Sequence, residues 1–143
     1  MLEKAVNNSQ GATIFAYQVR NPSHFGVVEF DQNLSALSLE EKPKNPKSNW
    51  AITGLYFYDN RVVHIAQTLE PSSRGELEIT DLNKVYMKQS ELHVELLGAG
   101  FTWLDTGTHD SLLAVSQFVS NTENQQNIKV ACLEEIAKSN EWI

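Results

Sequence analysis

Glu41 and Lys42, followed directly by Pro43, set an acceptor suited to sugar hydroxyls beside a cation suited to phosphate. Such a pair at a strand end more often just faces water. In an extended chain the two would point to opposite faces, so sharing a ligand requires the strand to twist or stop there, which Pro43 favours. Arg74, beside Gly75 in a loop that opens a helix, offers planar paired donors to a phosphate, although an arginine so placed more often pairs with a nearby glutamate. Asp105 stands in Trp103-Leu104-Asp105-Thr106-Gly107-Thr108, read as a strand exit just before a helix start. Open α/β sheets place ligands at such points, and a helix N-terminus attracts anions. A carboxylate there makes sense if Mg²⁺ bridges it to phosphate oxygens; its commoner use is to cap its own turn. Gly26 and Gly54 would let backbone approach a ligand, or simply serve a strand end and a bulge.

Other chemistries find little support. His24, His64, His93 and His109 show no metal-binding spacing and no recognisable serine or cysteine partner motif, and read as structural or exposed. Gly98-Ala99-Gly100 lacks the third glycine of a dinucleotide loop and reads as a turn. The single cysteine, Cys132, excludes an internal disulfide, fits a reducing compartment and reads as a small apolar residue on the last helix. Eleven basic against 18 acidic residues give a net charge of −7, which repels a nucleic-acid backbone but does not prevent one or two placed cations from holding a small phosphate. With no apolar run near the roughly 20 residues of a membrane helix and no signal pattern at the start, a cytoplasmic protein with no membrane partner is expected.

The elements that must position these residues follow from pattern. At 143 residues with 41% hydrophobic and 20% charged side chains, one domain over residues 1–143 is expected. Residues 2–9 read as the last turns of a helix that Gly11 ends. Residues 13–19 read as a buried strand, and 26–31 with 34–41 as a hairpin about Gln32-Asn33 whose second strand carries Leu37, Leu39 and Glu41 on one face. A polar loop, 43–48, precedes a long apolar strand over 50–58. Helices are predicted over 62–69 and 76–88, and strands at 92–96 and at Phe101, Trp103 and Asp105. Thr108 caps a helix over 109–119, and a last one begins near Ala131. The expected fold is α/β: a mixed sheet with hairpins, flanking helices and a helical C-terminus.

In this order GATIFAYQV, FGVVEFD, SLEEKPKNPKSNWAITGLYFYD, RGELEITDLN, VELLG and FTWLDTGTHDSL resemble the C-terminal half of bacterial glucose-1-phosphate thymidylyltransferases. EEKP occurs widely among sugar nucleotidylyltransferases; RGELEIT together with WLDTGTHDSL points to the thymidylyl branch. The resemblance implies a partial nucleotidyltransferase, Rossmann-like fold. It also implies a family reaction in which glucose 1-phosphate attacks deoxythymidine triphosphate with Mg²⁺ assistance, releasing pyrophosphate. Carried over, it places Gly26, Glu41, Lys42, Ile52 and Arg74 against the sugar phosphate, Trp103 beside them, and Asp105 as one of two metal-binding aspartates. The glycine-rich nucleotide loop and the second aspartate of the family are expected upstream of Met1, and its final helices beyond Ile143, so that a regulatory site near Cys132 and Glu135 is not expected to be complete. The implied function is therefore the sugar-phosphate side of such a site, inactive alone in nucleotidyl transfer. The alternatives are one subunit of a split transferase, or a non-catalytic binding or oligomerisation module whose unpaired sheet edge favours self-association.

Overall fold

In the chain's computed structural model residues 1–8 and 10–143 are described, and they form two compact units, 1–101 and 102–143. The first unit runs α1 (Leu2–Asn7), β1 (Ala12–Gln18), β2 (Gly26–Phe30), β3 (Ala36–Glu41), β4 (Trp50–Tyr58), α2 (Arg61–Gln67), α3 (Ile79–Lys88) and β5 (Leu92–Leu97). A five-stranded mixed sheet in the order β3-β2-β4-β1-β5 organises it. Only β1 and β5 are parallel; the other neighbours run antiparallel.

β1 lies between β4 and β5, and its Ala-Thr-Ile-Phe-Ala run is buried on both faces, as a continuous rather than alternating apolar sequence dictates. Ala12, Ile14 and Ala16 join the core that α3 covers with Leu82 and Tyr86. Phe15 takes the other face, its ring 5.9 Å from that of Phe57. Burying Leu82 and Tyr86 contributes about 2 kcal/mol each, which lets a ten-residue helix too short to persist alone hold its place. Thr80 and Asn83 are buried on the same helix and therefore carry out their polar bonding inside the fold.

Asp59, at the end of β4, ties several elements together. Its carboxylate accepts from Gly11 N–H at 2.8 Å, from Arg61 Nε at 2.9 Å and Nη2 at 2.6 Å, and from the Tyr86 hydroxyl at 2.9 Å. The Arg61 guanidinium also reaches Glu91 and lies 5.5 Å from the centre of the Tyr86 ring. Arg61 above all, with the Gly11 and Tyr86 donors, holds the Asp59 carboxyl well below the usual carboxylate range against the opposing effect of burial. A carboxyl more acidic in the folded than in the unfolded chain stabilises the fold above the unfolded value of about 4 and ceases to do so as pH falls. Urea unfolding at pH 7 and pH 3 is expected to show a loss of stability in acid that Asp59→Asn, itself destabilised by about 3 kcal/mol at pH 7, shows far less. Equal acid sensitivity in both proteins would refute this role.

The second unit begins without regular structure over 102–106 and continues as α4 (His109–Gln126) and α5 (Leu133–Ser139). Thr108 starts α4 with a capping box: its Oγ1 accepts from Ser111 N–H at 3.1 Å, and Ser111 Oγ accepts from Thr108 N–H at 3.0 Å. Neither helix buries a residue fully. No helix among the described residues is long and apolar enough to cross a membrane.

The mixed α/β fold agrees with the sequence pattern, and several local expectations need correction. Phe101, Trp103 and Asp105 form no strand. Alternation alone does not make one, because a strand needs a hydrogen-bonded neighbour, and none pairs with this segment. α1 ends at Asn7 with Asn8 as its cap, so Gly11 does not terminate it, and Ser9 of the predicted helix lies outside the described residues. α3 starts at Ile79 because Glu76 and Glu78 belong to the preceding loop. α4 runs to Gln126, and α5 begins at Leu133 with the half-buried Cys132 just before it as N-cap.

Candidate functional site

Strand register brings three of the candidate residues together. Gly26 pairs with Glu41 across β2 and β3, and Val27 pairs with Ala51 across β2 and β4, which sets Gly26 opposite Ile52 in the antiparallel run. A Cβ at Gly26 would stand 3.1 Å from Thr80 Oγ1, 3.2 Å from Glu41 Oε2 and 3.6 Å from Ile52 Cδ1. The absent side chain thus lets a hydroxyl, a carboxylate oxygen and a methyl close in on the Gly26 backbone. Thr80, near the start of α3, donates to Glu41 Oε2 at 2.5 Å and fixes the carboxylate against the strand.

β3 stops at Glu41, as sharing a ligand required. Lys42 adopts a left-handed backbone with φ 43, while its N–H still donates to Phe25 O at 3.0 Å. A left-handed residue breaks the strict alternation of an extended strand, and the exposed Lys42 side chain leaves the strand at the Glu41 end. Such a conformation costs a non-glycine residue about 1 kcal/mol or more.

Arg74 realises the pairing that the sequence left open. Its Nε forms an ion pair with Glu78 Oε1 at 3.0 Å, and its Nη2 donates to Glu76 and, at 3.5 Å, to Glu78 Oε2. The Glu76 contact chiefly, with the charges of Glu76, Glu78 and Glu41, raises its basicity above the ordinary guanidinium value. The charge of Glu41 also adds to burial in raising the Tyr56 hydroxyl. Arg74, Tyr56 and Glu41 therefore share one electrostatic neighbourhood.

Trp103 and Asp105 belong to the second unit, Trp103 half-buried and Asp105 exposed. Asp105 Oδ2 accepts from Gly107 N–H at 3.2 Å, the turn-capping role that its spacing allowed. Among the described residues no group of three or more His, Cys, Asp or Glu side chains converges on a point that suits a metal. Magnesium takes one or two carboxylates together with phosphate oxygens and water, and one turn-capping carboxylate does not make that set. The chain's own donors thus do not fit the ion unaided.

Gly54 is exposed, and a Cβ there would meet nothing within 4 Å, so no close approach depends on it. All four histidines are exposed. A separate hollow of about 810 Å³ is lined by Lys4, Asn8, Asn33, Ser35, Ser90 and His93 among others, none of them a candidate residue. Its size does not override the chemistry gathered at Gly26. Sequence reasoning missed Thr80, Glu78, Ser72 and Tyr56. The RGELEIT motif contained Glu78 and Thr80; the partners of Glu78 are local, but that of Thr80, Glu41, lies 39 residues away.

The model of the nucleotidyl transferase family matches residues 1–122, most of the chain. The chain belongs to that family. This nucleotidyl transferase chain is 58% identical over 142 residues to the glucose-1-phosphate thymidylyltransferase of Neisseria meningitidis serogroup A, and 54% identical over 140 residues to that of Mycobacterium tuberculosis. These alignments cover 99% and 98% of the chain and 49% of each relative. The chain therefore spans about half the length of the curated relatives it matches. A crystal structure of a Bacillus anthracis glucose-1-phosphate thymidylyltransferase in complex with sucrose superposes with a TM-score of 0.71 at 41% identity, covering 82% of this chain and 46% of that one. UDP-glucose pyrophosphorylase complexed with UDP-glucose superposes at 0.73 with 19% identity, over 85% of this chain and 48% of that one, which shows the shared fold alone.

Proposed function

We propose that the chain carries the sugar-phosphate side of a glucose-1-phosphate thymidylyltransferase site, corresponding to the C-terminal half of that enzyme. Gly26 and Ile52 admit the sugar ring, Glu41 accepts from its hydroxyls, and Lys42 and Arg74 meet the phosphate. On the resemblance alone, Trp103 is assigned to the sugar phosphate and Asp105 as a magnesium ligand that phosphate oxygens and water would complete. The observation that supports this reading is the gathering of Thr80, Glu41 and Ile52 against the bare backbone of Gly26. A carboxylate fixed by a buried hydroxyl is preorganised for a neutral polyol, because its remaining lone pairs are aimed before the ligand arrives.

Transfer of a nucleotidyl group also requires a triphosphate to be held and its charge neutralised in the transition state. The residues gathered here serve the sugar side, so the chain alone binds glucose 1-phosphate and does not convert it. Calorimetric titration is expected to show binding of glucose 1-phosphate that weakens in Arg74→Ala, while an assay of pyrophosphate release from deoxythymidine triphosphate stays at background. Absence of binding in both proteins would dismiss the sugar-phosphate reading, and turnover at an enzymatic rate would dismiss the inactive one.

A second reading is that a separate polypeptide completes the transferase. Among the described residues β3 and β5 end the sheet, and an end strand offers backbone to a further strand, from such a partner or from a second copy.

A further inference from the structure

Ser72 sits half-buried in the loop ahead of α3, and its side chain contacts the Arg74 backbone and the Glu78 carboxylate. Its Oγ accepts from Arg74 N–H at 3.1 Å and donates to Glu78 Oε1 at 2.8 Å, the same oxygen that receives Arg74 Nε. The backbone closes round it: Ser72 N–H donates to Glu76 O, and Gly75 N–H to Ser72 O, each at 2.8 Å. Glu78 is only 8% exposed, and a buried carboxylate keeps one orientation only while its oxygens are bonded. An arginine on a loop would otherwise sample many rotamers, at a cost of about 2 kcal/mol to fix.

We infer that Ser72 is a positioning residue for the phosphate-binding arginine: it fixes the Arg74 backbone directly and the guanidinium through Glu78. Glu78 and Glu76 engage the Nε and Nη2 edge, and Nη1 carries neither of those bonds. The guanidinium is thereby held by one edge and presents the other. A merely structural serine would stabilise the loop without setting the direction of this side chain. The inference deepens the sugar-phosphate reading and rests on it for the identity of the ligand, but not for the geometry of Arg74.

The test uses the full chain with Ser72→Ala and Ser72→Thr. The first readout needs no ligand: hydrogen exchange of the Arg74 Nε–H, seen in nitrogen-correlated NMR and assigned by its disappearance in Arg74→Lys. Slow exchange is expected in the native chain, exchange at least ten times faster in Ser72→Ala, and restoration in Ser72→Thr, which keeps the hydroxyl. The second readout is calorimetric titration with glucose 1-phosphate, expected to weaken about tenfold in Ser72→Ala and to recover in Ser72→Thr. Fast Nε–H exchange in the native chain, or exchange in Ser72→Ala that matches it, overturns the positioning role even if the sugar phosphate binds. The expected exchange pattern in a native chain that binds no glucose 1-phosphate supports the positioning role and rejects the sugar-phosphate site. Should Ser72→Ala fail to fold, the native and Ser72→Thr exchange rates still decide, since both must be slow.

Discussion

Gly11→Ala is expected to cost about 3–5 kcal/mol of stability, a large part of the roughly 5–15 kcal/mol that holds a typical domain together. Two costs add at this position. Gly11 has φ +82, where a residue with a Cβ loses about 1–2 kcal/mol. A Cβ there would also stand 2.3 Å from the backbone oxygen of Glu91, which cannot rotate aside as a side chain would. That same oxygen accepts Ala12 N–H at 2.9 Å, and Gly11 N–H donates to Asp59, so relief of the overlap pulls on the start of β1 and on the Asp59 cluster together. Gly75 separates the two costs. It has φ +79, but a Cβ there meets nothing within 4 Å, so Gly75→Ala should lose only the conformational part, about 1 kcal/mol. Urea midpoints of the two variants make the comparison. Equal losses would mean that the approach to Glu91 carries no weight.

How far the sequence reveals this arrangement depends on whether the cause is local. The apolar run Trp50–Tyr58 is a strand with the bounds its residues suggest, since length, β-branched and aromatic content and the flanking polar loop all lie within the segment. The end of the Glu41 strand is likewise legible from Pro43, and the left-handed Lys42 is how the backbone achieves it. α4 outruns its apolar stripe because the polar stretch after Val119 still suits a helix until Asn127 turns left-handed at φ 52. Partners are harder. The alternation at Phe101, Trp103 and Asp105 satisfies one condition of a strand, but no sheet among the described residues includes the segment. Thr80 bonds to Glu41, 39 residues away, and no periodicity in either segment marks that contact. For Arg74 the local sequence supports both an ion pair and a phosphate site. The structure shows the first of these, with ion pairs at Nε and Nη2.

Enlarging Gly26 tests the candidate site most directly, because the residue does nothing else that a side chain would disturb. Its backbone lies in regular β2, with no left-handed angle to maintain, so alanine or valine fits the strand conformation. The first added carbon would crowd Thr80 Oγ1 at 3.1 Å and Glu41 Oε2 at 3.2 Å, both side-chain atoms able to shift by a few tenths of an ångström. Stability should therefore fall by only about 1 kcal/mol in Gly26→Ala. Affinity for glucose 1-phosphate should fall much further, by about tenfold in Gly26→Ala and beyond detection in Gly26→Val. The methyl occupies the space the sugar would enter and displaces the carboxylate that receives its hydroxyls, and each 1.4 kcal/mol lost is a factor of ten. Unfolding curves and calorimetric titrations on the same samples distinguish a filled site from a damaged fold. Gly26→Val that keeps native affinity would move the sugar away from Glu41 and Ile52, whatever else the chain binds.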